Sequence, residues 1–221
     1  MKTINIALYS IDELSQEAQE KAFERYRHFN VEDNTWYEGE FDDFVSLCKT
    51  IGIDIPANGI SFSGFWSQGD GSTFASTINA EQLIKGIGQE AWKDYAPKLD
   101  FNFKPCPCDK RVLALISKGY IEYQLSTETP KRGYYIEFWA DYSFIPNRGN
   151  ELTNIENELA KLDKWIEHCL KLLNRHLYKS LEEQYEYETT DETIKETFMA
   201  NDYLFTADGK KADRLLNFTI E

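Results

Sequence analysis

From Leu152 onward, Leu152, Ile155, Leu159, Leu162, Ile166, Cys169 and Leu173 follow one another at alternating steps of three and four. That spacing gathers apolar side chains into one stripe along an α-helix. The run predicts a single long helix near residues 152–188, and a stripe of that length must be covered. It either lies across one face of a sheet or forms the seam of a helical pair. The first role is favoured, because polar His176 stands at the next seam position; the second leaves room for a homodimer.

The remaining sequence supplies strands for that helix to cover. Residues 120–125 and 134–144 are aromatic and β-branched and are joined through Pro130-Lys131-Arg132-Gly133, which reads as the strongest hairpin in the chain. Residues 60–66 and 73–78 flank Ser67-Gln68-Gly69-Asp70-Gly71-Ser72 and read as a second hairpin with a glycine-supported turn. A strand over residues 4–9 is expected to feed a helix, and residues 203–206 and 215–220 flank Asp208-Gly209, a turn pair of a third hairpin.

Helices are expected at several places between these strands. Ser10 with Glu13, and Thr35 with Glu38, have the spacing of capping boxes. Residues 15–29 form an amphipathic run, and Phe41, Phe44, Val45 and Cys48 form another that Gly52 ends. Asn79 is placed to cap a short helix over residues 80–85, with further helical stretches at 89–95, 111–117 and 191–200. Pro105 and Pro107 keep residues 101–109 irregular. The fold class is α+β: antiparallel hairpins or sheet covered by amphipathic helices, in one domain over 1–221, with residues 79–144 as an inserted subregion.

Composition then limits the setting. Hydrophobic residues at 42% and aromatics at 14% are too plentiful for a disordered chain. No stretch approaches the ~20 apolar residues that span a bilayer, and residues 1–5 lack the apolar core of a secretory signal. A cytoplasmic protein without a membrane partner is expected, with Cys48, Cys106, Cys108 and Cys169 as reduced thiols. The formal charge is −14, and it is uneven: residues 1–60 carry 12 acids against 5 bases, residues 61–179 carry 15 against 15, and residues 180–221 carry 11 against 4. Acidic ends disfavour direct nucleic-acid binding, which rests on basic clusters, and favour a basic protein surface as partner.

Catalytic motifs are weighed against simpler roles. In Phe65-Trp66-Ser67-Gln68-Gly69-Asp70-Gly71-Ser72 the glycines could free backbone N–H groups for an anion, and Asp70 could hold a metal or a sugar hydroxyl. No P-loop Lys-Ser/Thr follows, so a tight turn is the favoured reading. Cys106-Pro107-Cys108 lacks the second ligand pair that zinc sites commonly use, and His168 and His176, eight residues apart on a helix, do not make a ligand pair. No Gly-x-Ser-x-Gly elbow occurs. Neither a metal, a cofactor nor a catalytic residue is assigned, and binding is favoured over catalysis.

The opening Leu8-Tyr9-Ser10-Ile11-Asp12-Glu13-Leu14-Ser15-Gln16-Glu17-Ala18-Gln19-Glu20-Lys21-Ala22 resembles phage and prophage proteins labelled as antitoxins of a toxin–antitoxin stability system. The Trp36-Tyr37 helix, the segment around Ser67-Gln68-Gly69-Asp70-Gly71 and Leu204-Phe205-Thr206-Ala207-Asp208-Gly209 are also similar. The likeness covers the amino-terminal third well and the rest loosely. It carries no catalytic residues. It implies a mobile-element protein that neutralises a host toxin or defence component, although the DNA-binding helix-turn-helix or ribbon of many antitoxins is not evident.

Three functions follow. The first is an antitoxin-like or counter-defence inhibitor that occupies a host protein through acidic ends or aromatic hairpins. The second is a sequesterer of a small nucleotide signal, with Trp66, Tyr134 or Trp139 stacking on a base and Arg111, Lys131 or Arg132 meeting phosphate. The third and weakest is a metal-dependent hydrolase around Asp70.

Overall fold

The computed structural model describes residues 6–145 and 152–213. In chain order the elements are α1 (Gln16–Arg25), α2 (Glu38–Thr50), β1 (Ile53–Asp54), β2 (Ile60–Phe62), β3 (Ser72–Phe74), β4 (Ser76–Ile78), α3 (Ala80–Gly88), α4 (Lys110–Ser117), β5 (Ile121–Glu128), β6 (Glu137–Phe144), α5 (Thr153–Glu188) and α6 (Asp191–Ala200). All strand pairings are antiparallel, in a four-stranded sheet of order β1-β4-β5-β6 and a two-stranded sheet β2-β3. The fold is α+β, with the long helix where the leucine spacing places it. The chain divides into two compact units, Gly39–Glu182 and a second made of the residues up to Glu38 with those from Glu183 onward.

The Gly39–Glu182 unit is organised by α5. Leu159, Leu162, Ile166, Cys169, Leu170, Leu173, Leu177 and Leu181 have no exposed surface, and Trp165 is buried beside them. This stripe is wider than a two-helix seam. It is spent within the chain itself, which leaves the seam unavailable to a helical dimer. Four polar contacts fix the helix in register. The Tyr123 hydroxyl of β5 donates to Asp163, the Trp165 indole N–H donates to the Lys104 carbonyl at 2.7 Å, and the Tyr178 hydroxyl donates to the Gly64 carbonyl at 3.2 Å. The Asn174 amide donates to the Ser72 carbonyl at 2.7 Å while its side-chain oxygen accepts from the buried Ser72 hydroxyl at 2.9 Å. The indole contact holds the proline-bearing stretch 101–109, which is irregular as its composition requires.

Local signals set several boundaries. Asn79 accepts the Gln82 N–H at 2.9 Å and starts α3, and Asp109 does the same for α4 through the Arg111 N–H at 2.8 Å. Before α2, Asp33 rather than Thr35 accepts the exposed N–H, from Thr35 at 2.9 Å, because a short 3₁₀ turn over Thr35–Tyr37 leads into the helix. The run 73–78 is two strands, not one. At Ala75 the backbone N–H turns to the Gly59 carbonyl at 2.7 Å, so β3 pairs with β2 while β4 passes into the larger sheet between β1 and β5.

In the terminal unit, Ile11, Leu14, Ala18, Ala22 and Phe23 pack against Ile194, Phe198 and Phe205. Ser15 caps α1, with its hydroxyl accepting from Ala18 N–H at 3.4 Å. The helix stops at Arg25, short of Phe29, which sits in a 3₁₀ turn with its ring tilted against Phe198 and edge-on to Tyr203. Where a strand was expected over residues 4–9, Tyr9 alone among the described residues is bridged, to Phe205; Ile4 and Asn5 lie outside them. The Asp208-Gly209 turn forms, and Phe205 bridges Lys211 across it. The return strand expected over 215–220 lies outside the described residues. Lys211 Nζ sits 4.1 Å from the Phe29 ring centre and 3.8 Å from that of Tyr203, a cation held between aromatic faces.

Asn174→Ala strands the Ser72 carbonyl, while the buried Ser72 hydroxyl keeps the backbone carbonyl of residue 174 as its acceptor at 3.0 Å; the loss is about 1–3 kcal/mol. Urea unfolding should show a lower midpoint with an unchanged slope.

Candidate functional site

The larger sheet has two unlike faces, because side chains alternate along each strand. Ile53, Ser76, Ile78, Ile121, Leu125 and Thr127 point inward and are buried. On the outer face the register aligns Asp54, Thr77, Ser126 and Trp139 in one row across all four strands. Neighbouring rows pair Gln124 with Asp141, Glu122 with Ser143, and Glu128 with Glu137. The strands thus place five carboxylates there, Asp54, Glu122, Glu128, Glu137 and Asp141, and no base. None of the five is in an ion pair among the described residues. Trp139, 53% exposed, stands among them.

Two features of this face run against stability. Glu128 and Glu137 are directly opposite, a like-charge pair that weakens a ladder. An exposed tryptophan gains little from folding. Local choices that disagree with the fold tend to be kept for binding. Four of its five carboxylates, all but Asp54, lie in the stretch where acids and bases balance; the face is acidic because the bases of that stretch are placed elsewhere. Lys131 and Arg132 are exposed in the β5–β6 loop, Lys161 pairs with Glu158, and Lys171 with Glu167. A charge count along the chain therefore misses it; the two-residue alternation in the β5–β6 hairpin is the signal that finds it.

The glycine segment is a turn. Asp70 accepts the Ser67 N–H at 2.7 Å and the Ser63 hydroxyl at 3.1 Å, which uses both carboxylate oxygens to close the loop. Gly69 has φ +96°, the left-handed region where a side chain is strained. Gly71 serves differently: a Cβ there would lie 2.8 Å from the Tyr134 carbonyl, so its lack of a side chain lets the turn touch the loop before β6. Trp66 is also at positive φ, +70°, and is 66% exposed; Gln68 is exposed beside it.

Of the aromatic residues proposed to stack on a base, Tyr134 lines a groove that also holds cationic side chains. That groove, of about 630 Å³, is also lined by Gly71, Tyr178, Lys171 and Arg175, and Arg175 has no ion pair among the described residues. Trp66, Trp139, Lys131 and Arg132 form no part of it. Arg111 is elsewhere and engaged: its guanidinium grips Asp109 at 2.7 Å, and this hydrogen bond, with the backbone one, holds the Asp109 carboxyl down to about 2.

The cysteines are uncharged at neutral pH. Burial pushes the Cys108 and Cys169 thiols up to about 12 and that of Cys48 higher still. Among the described residues no group of three or more His, Cys, Asp or Glu is placed to hold a metal ion. Among them, too, no helix is long and apolar enough to cross a membrane.

Residues 36–191 match the model of a family described as a domain of unknown function (DUF8835), more than two thirds of the chain. The chain belongs to DUF8835. The DUF8835 match takes in all of the Gly39–Glu182 unit, and so the acidic sheet face, the glycine turn and the Tyr134 groove. The opening Leu8–Ala22 segment that resembles antitoxins lies outside it. No curated protein and no solved structure matches the chain.

Glu128→Lys replaces the opposed like charges on β5 and β6 by an attractive pair. Chemical denaturation should show a gain of roughly 0.2–1 kcal/mol, a case where removing an acidic side chain stabilises the protein.

Proposed function

We propose that this protein is a non-catalytic, antitoxin-like or counter-defence inhibitor that binds a host protein, and that it does so with the outer face of its larger sheet. The observation that carries the reading is that face: its strands carry five carboxylates with no ion pair among the described residues, no base, and an exposed tryptophan. Such a surface draws a basic partner by long-range attraction, and the tryptophan supplies the large, rigid contact that dominates many interfaces. The phage-type setting comes from the amino-terminal resemblance, and the aromatic hairpin named there as a contact element is β5–β6.

One observation favours a second reading, in which the chain sequesters a nucleotide signal. Tyr134 and Arg175, which has no ion pair among the described residues, share a groove in which a base could stack and a phosphate could be met.

The two readings separate in a pulldown from host lysate at low and high salt. The wild type is compared with a variant neutralised on the sheet face (Glu122→Gln, Glu128→Gln, Glu137→Gln, Asp141→Asn). The inhibitor reading predicts one protein partner that is released by salt and lost with the variant. A nucleotide co-purifying with both forms, and lost with Arg175→Ala, would instead support the sequesterer.

A further inference from the structure

Strand β6 lies at one end of the order β1-β4-β5-β6 and runs for eight residues. All eight pair with β5, from Glu137 opposite Glu128 to Phe144 opposite Ile121. Among the described residues β6 has no second strand neighbour, so one side presents a row of backbone N–H and C=O groups. Proteins normally blunt such edges with lysine, proline, a bulge or a short strand. β6 contains neither lysine nor proline, and its register with β5 is unbroken.

Its side chains state what would fit. Toward the outer face β6 presents Glu137, Trp139, Asp141 and Ser143, next to the acids of β5; toward the inner side it presents Phe138, Ala140, Tyr142 and Phe144. Ala140 is exposed and the other three are half-buried, so this inner row is only partly covered. A second copy pairing through β6 would bring two acidic faces side by side, which charge disfavours.

Resting on the inhibitor reading above, we infer that β6 receives an extended segment of the basic partner as a fifth strand, with Lys or Arg at alternate positions over the acidic face and apolar side chains between them. Backbone hydrogen bonds to the β6 edge give the segment its anchor, and the alternation gives it specificity, as in other cases of strand addition. The sheet then becomes β1-β4-β5-β6-partner, with the carboxylates of β5 and β6 compensated from the adjoining strand.

The test uses the full chain and an end-blocked eight-residue peptide that alternates Lys with Val or Thr, beside the same peptide N-methylated along its backbone. The inference predicts that the first peptide binds at low salt and slows hydrogen exchange at β6. Binding should weaken on the order of tenfold on N-methylation, and again with Glu137→Lys/Asp141→Lys. Equal binding of both peptides, without β6 protection but still lost with the double variant, overturns strand addition and leaves the acidic-face reading standing. No binding by either peptide, or binding indifferent to the double variant, overturns both. β6 amides already protected in a chain of dimeric mass would show a second copy at the edge, and would equally overturn the inference.

Discussion

Burial of one stripe of α5 is the constraint on which the Gly39–Glu182 unit depends. Eight side chains from Leu159 to Leu181 are withdrawn from solvent entirely, and each large aliphatic among them contributes roughly 1.5–3 kcal/mol. A stripe this wide needs a surface to cover, and β5 supplies part of one, its Tyr123 reaching Asp163 from the inner side that Ile121 and Leu125 also line. The strands then have no choice about their other face. With a period of two, committing Ile121, Leu125 and Thr127 inward sends Glu122, Gln124, Ser126 and Glu128 outward. The alternation thus decides which residues of the hairpin face outward, and the acids among them make that face acidic.

The same reasoning explains how a balanced stretch of sequence makes an unbalanced surface. Two bases on α5 pair along their own helix, Lys161 with Glu158 and Lys171 with Glu167, and Arg111 is held by Asp109. Among the described residues the outer acids of the sheet have no ion pair, and Glu128 is opposed to Glu137 at a cost to the ladder. Such a surface is suited to attraction at a distance. Salt should weaken it, because a Debye length of about 10 Å at 0.1 M screens exposed charges.

What was legible in the sequence was local. The three-and-four spacing marked α5, Asn79 marked the start of α3, prolines marked the irregular 101–109, and the β5–β6 hairpin followed from its aromatic and β-branched residues and its turn. What was not legible depended on distant partners. Nothing near Ala75 announces that one β-rich run will serve two sheets; that follows from the reach of its N–H to Gly59. Gly71 reads as a turn glycine, yet its role is to admit the Tyr134 carbonyl. Arg111 reads as a free cation until the cap of α4 is seen to hold it. Of the candidate residues, the structure groups Gly71 with Tyr134, places Trp139 on the acidic face, and leaves Trp66, Gln68 and Gly69 on an exposed turn closed by Asp70.

Two exposed tryptophans, Trp139 on the sheet face and Trp66 on the glycine turn, offer a direct reading of where a partner sits. Hydroxyl-radical footprinting of the full chain, alone and with a protein retained from lysate and released by salt, reports the oxidation rate of each indole. Binding by the sheet face predicts that Trp139 is strongly protected while Trp66 oxidises as before. Protection of Trp66 with Trp139 unchanged would contradict the account and move the binding surface to the glycine turn.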